Sequence, residues 1–144
     1  MKQVYLLSFN DFMVSGDSLR VYHDSELVFS STKDRLFPLM EYISRFAADD
    51  KPAVVYDRIV GNAAALLAVK AGCRELFSPF ASQLAINTLE EYGVKYHLGE
   101  VVACIQRVDG EEMCPMEKLS LGKSPEEFYD LMEEIVSKSL SDSA

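Results

Sequence analysis

Residues Asn62–Ala71 run Asn-Ala-Ala-Ala-Leu-Leu-Ala-Val-Lys-Ala, and this segment constrains the fold more than any other. A helix with so little polar surface has no face to give to water, so it must be buried on most sides. Gly61 starts it, and Gly72 stands in the usual glycine position after a helix C-terminus. Immediately upstream, Ala53-Val54-Val55-Tyr56 is a short β-rich run. A strand therefore delivers Asp57 and Arg58 to the end of a sheet, and Gly61 lets the backbone turn tightly into the buried helix.

The remaining pattern supplies the layers that such a helix needs. Leu19-Arg20-Val21-Tyr22-His23 alternates apolar and polar residues, and Glu26-Leu27-Val28-Phe29-Ser30 follows after Asp24-Ser25, which predicts a β-hairpin. Val4–Met13 suits a short strand or a helix, and the sequence does not decide between them. Leu36, Leu39, Met40, Ile43 and Phe46 recur at helical spacing, predicting an amphipathic helix over Arg35–Ala48 with Pro38 in its first turn. Glu75–Phe77, Val94–Tyr96 and Val101–Ile105 read as strands, and Ser82–Tyr92 as a helix closed by Gly93. Ser124-Pro125-Glu126-Glu127 has the form of a capping box, opening a last helix with Phe128, Leu131, Met132, Ile135 and Val136 as its apolar stripe. The polar tail Ser137–Ala144 is expected to fray. Strands alternating with helices imply a three-layer α/β/α sandwich whose mixed sheet includes some parallel pairing.

Composition narrows the function classes. A length of 144 residues corresponds to about one domain. The net charge is −9, and the 14 Lys and Arg residues are scattered, which argues against nucleic acid as a partner. The longest apolar run, Ala63–Val69, is far short of a membrane span, and Met1-Lys2-Gln3-Val4 lacks the features of a signal peptide. Cys73, Cys104 and Cys114 form no CxxC pair, so they are expected to be free thiols in a cytoplasmic protein.

Two segments could carry chemistry. At Tyr56–Ala65, free N–H groups at the helix start and the small residues Gly61, Ala63, Ala64 and Ala65 would let a ligand approach closely; the same residues would equally permit close helix–sheet packing. At Asp109–Glu117, a thiol (Cys114), loop carboxylates and Pro115 follow a strand. A thiol nucleophile needs a base or a positive environment, and neither His23 nor His97 is near Cys114 in sequence. The two histidines lack metal-ligand spacing, and Glu111-Glu112 could bind a divalent cation or simply face water. No P-loop, complete dinucleotide glycine pattern or GxSxG elbow is present.

Asp57-Arg58-Ile59-Val60-Gly61-Asn62-Ala63-Ala64-Ala65, together with Cys114-Pro115-Met116-Glu117, resembles the prokaryotic family catalogued as domain of unknown function 1893. The resemblance runs from about the hairpin to the last helix and takes in Ser78-Pro79 and the Ser82–Leu89 helix. It implies a fold like that of cytidine deaminases. Those enzymes hold zinc with a His or Cys before Ala-Glu at one helix start and with Pro-Cys-x-x-Cys at the next. Here the corresponding segments are Gly61-Asn62-Ala63 and Ser78-Pro79-Phe80-Ala81-Ser82, which offer neither ligands nor the proton-carrying Glu. The resemblance thus implies a scaffold without zinc-dependent deamination. The family commonly carries Lys where Asn62 stands and Glu where Gln83 stands, so Asn62 and Gln83 could replace an ion pair by a neutral hydrogen bond.

Three functions remain open. The first is a small-molecule-binding domain for a nucleotide-like or other planar polar ligand, needing no cofactor or metal. Its pocket would be lined by Asp57, Gly61, Asn62, Ala63, Ser82, Gln83, Cys114, Pro115, Met116 and Glu117, with Asp57 and Glu117 as the polar readers. The second is a metal-independent enzyme with Cys114 as nucleophile, Asp57 or a histidine as base, and helix N–H groups as the anion hole. The third is a structural or regulatory protein assembling as a homodimer through its hairpin or apolar helices.

Overall fold

The computed structural model describes residues 2–46, 51–106 and 113–142. Its centre is the strand β3 (Ala53–Asp57), whose first four residues are all buried. Five strands form one sheet in the order β2-β1-β3-β4-β5, with β1 at Leu19–His23, β2 at Glu26–Ser31, β4 at Cys73–Ser82 and β5 at Lys95–Val102. β1 runs antiparallel to β2 and β3, while β3, β4 and β5 are parallel. A strand paired on both edges and covered on both faces reads as a continuous apolar run, which is why Ala53-Val54-Val55-Tyr56 lacks alternation.

The two faces of β3 feed different cores. Ala53 and Val55 join the larger cluster, built with α2 (Phe37–Phe46), α3 (Asn62–Lys70), α4 (Gln83–Glu91) and α6 (Pro125–Asp142). Within it α3 packs against α2, α4 and α6 and also meets α5 (Pro115–Ser120), so its residues from Asn62 to Ala68 are all buried. That is the enclosure its composition demands. Gly72 ends α3 at φ +79°, a left-handed conformation that glycine adopts at little cost. Val54 and Tyr56 face the other way, toward Phe12 and Phe9 of α1 (Lys2–Val14). A row of rings crosses the sheet there: Tyr22 to Tyr56 at 5.3 Å, Tyr56 to Phe77 at 4.8 Å, and Phe77 to His97 at 4.4 Å.

α1 settles what Val4–Met13 leaves open: the segment is a helix. Its C-terminal end and the loop that follows are held by the sheet. The Arg58 guanidinium donates to Phe12 O (3.0 Å), Ser15 O (2.7 Å) and Asp17 O (2.7 Å), and lies 4.9 Å from the Phe12 ring centroid. Arg20 adds ion pairs to Asp11 and Asp17, both at 2.7 Å.

Local signals match the structure closely. The hairpin turns at Asp24 (φ 50°) and Ser25 (φ 68°), a left-handed pair suited to the twist of two strands. In the capping box of α6, Ser124 N donates to Glu127 Oε1 at 2.9 Å and Glu127 N to Ser124 Oγ at 3.1 Å. Four boundaries differ. α2 starts at Phe37 because Arg35 has φ 58°, and Ala47–Ala48 lie outside the described residues. β4 continues through Ser78-Pro79 to Ser82 instead of stopping at Phe77. Ser78 pairs with Leu98 and Phe80 with Glu100, so Pro79 sits where the ladder asks no N–H of it. The two strands expected at Val94–Tyr96 and Val101–Ile105 are one, β5, continuous through Gly99; a Cβ there would come 2.5 Å from Pro79 O. α6 runs on to Asp142 through most of the tail expected to fray.

If Arg58 fastens α1 to the sheet, Arg58→Lys keeps the charge but loses the fork. Hydrogen exchange of the last-turn amides of α1 should then rise about tenfold (~1.4 kcal/mol), with α3 amides unchanged. Equal protection of α1 in variant and native protein would contradict this anchoring.

Candidate functional site

The start of α3 is closed by a side chain from far along the sequence. Glu117, in α5, is 2% exposed. Its Oε1 accepts from the backbone N–H of Asn62, and its Oε2 accepts from that of Ile105 at 2.7 Å. A helix N-terminus carries unpaired N–H groups and the positive end of the helix dipole, so a carboxylate is stabilised there. Gly61, the residue before the helix, has an extended backbone at φ −89°. It is needed for space and not for its dihedral freedom: a Cβ would lie 2.8 Å from Glu117 Oε1 and 2.8 Å from Ile105 Cγ1.

Asn62 extends this contact into a buried network. Its Nδ2 donates to Ser120 Oγ (3.0 Å) and to Ser120 O (3.3 Å), its Oδ1 accepts from Thr88 Oγ1, and Ser120 Oγ donates to Glu117 O at 2.6 Å. α3, α4 and α5 are thereby joined by polar groups that satisfy one another, as buried polar atoms must. The Asn62–Gln83 hydrogen bond is not the arrangement found. Gln83 is exposed and its Nε2 donates to Asn87 Oδ1 at 3.0 Å. Thr88, Ser120 and Ile105 are the residues that sequence reasoning missed. Thr88 left a trace, since it lies at helical spacing with Ala85 and Leu89 on the buried stripe of α4.

Asp57 ends β3. By strand alternation its side chain lies on the face of Ala53 and Val55, the face that α3 covers. Burial pushes its carboxyl from 3.8 up to about 7, against the pull of hydrogen bonds from the Arg58 and Ile59 backbone. The adjacent guanidinium is turned to the carbonyls at the end of α1 and just after it. A carboxyl in this range exchanges its proton near neutral pH, as a general acid or base must.

The other expected residues divide clearly. Ser82 is buried and caps α4, its Oγ accepting from Ala85 N at 3.1 Å. Ala63 is buried in the main core, Met116 packs against that core, and Pro115 is exposed at the first position of α5. The Cys114–Glu117 segment is thus mostly a short helix, which its Pro-Met-Glu sequence hid. Cys114 is half-buried before α5, with its N–H donating to Ile105 O at 2.8 Å. His23 shares a 2.5 Å hydrogen bond with Tyr42, and His97 pairs with Glu75 at 2.7 Å. Burial raises the Cys73 thiol to about 12, which keeps it protonated and inert. Asp109 and Glu111-Glu112 lie outside the described residues. Among the described residues no group of three His, Cys, Asp or Glu could hold a metal ion, and no helix is long and apolar enough to cross a membrane. A shallow cavity of about 280 Å³ lies elsewhere, between α2 and α6, lined in part by Phe37, Glu41, Tyr129 and Glu133.

The fold and site define a mixed-sheet α/β domain with helices on both faces and an internally capped central helix. The model of the family described as Domain of unknown function (DUF1893) matches residues 9–136, and the chain belongs to that family. The crystal structure of a DUF1893 family protein from Thermotoga maritima is similar, with 29% identity and a TM-score of 0.81 over 96% of this chain and 91% of that one. No curated protein matches the sequence.

The raised Asp57 carboxyl has a defined consequence for stability. The folded state holds the proton up to about pH 7 and the unfolded chain only to about 3.8. The stabilising contribution is therefore complete below the lower value and lost as pH rises through the upper one. Asp57→Asn should be more stable than the native protein at pH near 8, by up to about 4 kcal/mol, with the gap narrowing as pH falls and closing only near pH 3.8. Parallel Tm-against-pH curves for the two proteins would refute the assignment.

Proposed function

We propose that the protein is a small-molecule-binding domain on a deaminase-like scaffold without zinc chemistry, with its ligand at the carboxyl ends of the parallel strands and Asp57 as the polar reader. The observation that carries this reading is the placement of Asp57. It ends the first parallel strand, on the side of the sheet where α3 begins, with a carboxyl near neutral pKa and a neighbouring Arg58 committed to α1. In parallel α/β sheets, ligands gather beyond the strand carboxyl ends. Asp57 can accept from a ligand N–H or O–H when ionised and donate to a ring nitrogen or carbonyl when protonated. Planar, nitrogen-rich molecules such as nucleobases and nucleosides present both kinds of group.

In this reading Gly61, Asn62 and Glu117 form the wall of the site. Their polar atoms are bonded to one another and to Thr88, Ser120 and Ile105, so they frame the site rather than contact its occupant.

A thermal-shift screen of nucleobases and nucleosides against the native protein and Asp57→Asn tests the proposal. A ligand at about 100 times its Kd stabilises by about 2.7 kcal/mol, enough to raise Tm by several degrees, and the shift should vanish in Asp57→Asn. A flat screen, or a shift of equal size in both proteins, would contradict it.

A further inference from the structure

We infer that the outer edge of β5 pairs antiparallel with β5 of a second copy of this chain, joining two five-stranded sheets into one across a two-fold axis. The inference concerns assembly and stands apart from the binding function proposed above.

The two edges of the sheet differ in kind. Among the described residues no further strand pairs with the outer edge of β2 or of β5. β2 is six residues long and irregular: Val21 pairs with Phe29 and Tyr22 with Leu27, so Val28 bulges from the ladder. A bulge twists an edge away from further pairing. β5 is eight residues long, and its register with β4 is constant from the Glu75–Lys95 pair to the Ser82–Val102 pair. It contains no proline, and Lys95 and Glu100 are its only residues with fixed charge. A long, regular edge offers a row of backbone N–H and C=O groups to a strand that fits it. The side chains along it are open as well. His97 stacks on Phe77 of the α1-side cluster, so by alternation Lys95, His97, Gly99 and Val101 share that face. All four are exposed, Val101 by 43%.

The sequence of β5 fits itself, which is what points to a second copy as the occupant. A two-fold axis normal to the sheet keeps each face on its own side, so it must pass at a residue and not between two. With Leu98 on the axis, Leu98 meets the second copy's Leu98, Tyr96 its Glu100, His97 its Gly99 and Lys95 its Val101. No like charges then face each other, an apolar pair lies at the centre, and each imidazole covers a glycine, all of which favour cross-strand pairing. With His97 on the axis instead, the two imidazoles would oppose each other and Glu100 would face Val94. The first register is therefore the one assigned.

A strand edge buries less than the roughly 800 Å² per partner of a standard interface, so the dimer is weak, with a Kd on the order of 10 µM. In sedimentation equilibrium the 16.1 kDa chain should approach twice that mass as concentration rises from about 1 to about 200 µM. Val101→Lys places a cation opposite the second copy's Lys95 at an exposed position. Two such pairs form per dimer, so Kd should rise about tenfold with the Tm of the dilute protein unchanged. Adding Lys95→Glu turns each repulsive pair into an attractive one and should restore the dimer. A native chain that stays monomeric over the whole range would overturn the inference. So would a dimer that Val101→Lys leaves intact, or one that Lys95→Glu fails to restore. Should Val101→Lys fail to fold, hydrogen exchange of the native protein supplies a second measurement. The amides of β5 should exchange about fivefold more slowly at about 200 µM than at about 1 µM, and those of β2 equally at both. Concentration-independent exchange in β5 would overturn the inference.

Discussion

The carboxylate of Glu117 sits where three stretches of chain meet, and the arrangement around α3 depends on it. Burying a charge costs several kcal/mol unless its hydrogen-bonding capacity is met. Here the cost is offset by two charge-assisted bonds to backbone N–H groups and by the helix dipole. In return, the N–H groups of Asn62 and Ile105 gain partners away from water. Ser120 and Thr88 then fix the Asn62 amide, and the network sets how α4 and α5 lie against α3. The strand end followed by glycine and a small-residue helix forms an internal joint. Its glycine is explained by a carboxylate arriving from another part of the same molecule.

The opposite face of the sheet is built on other terms. There one helix, α1, covers a row of rings, and cations at its C-terminus do the fastening: Arg58 to three carbonyls and Arg20 to Asp11 and Asp17. Committing Arg58 to this task leaves Asp57, one residue before it, without the cation that sequence adjacency suggests. Burial raises that carboxyl to about 7, and the hydrogen bonds from the Arg58 and Ile59 backbone offset it only in part. Two neighbouring residues at the end of β3 thus serve the two faces: Arg58 anchors α1, and Asp57 is left poised on the side of α3.

How much of this the sequence discloses depends on how far apart the interacting residues stand. The capping box of α6 joins residues three apart, and the hairpin turn is set by Asp24-Ser25, so both are legible. The enclosure of α3 is legible too, because an all-apolar helix admits no other environment. β4 and β5 were harder. Pro79 and Gly99 look like breakers, yet they lie side by side in one pair of strands, where the missing Cβ of Gly99 makes room for the Pro79 carbonyl. The role of Glu117 is not legible in sequence at all. Its partner Asn62 is 55 residues away, and nothing local separates an acidic residue bound to a buried helix start from one facing solvent. The exchange of charged for neutral residues at Asn62 and Gln83 pointed to a pair, but α4 turns Thr88 and not Gln83 toward Asn62.

The central claim, that Gly61 is a glycine because Glu117 must reach the start of α3, is tested most directly by a double-mutant cycle on stability. Gly61→Ala in the native background places a methyl group against the carboxylate and should cost about 2 kcal/mol or more. In the Glu117→Ala background the carboxylate is gone and Ile105 Cγ1 alone still crowds the methyl group, so the same substitution should cost about 1 kcal/mol less, a coupling outside the range of independent sites. Additive costs within about 0.3 kcal/mol would contradict the account, since they would mean that Gly61 and Glu117 do not share that space.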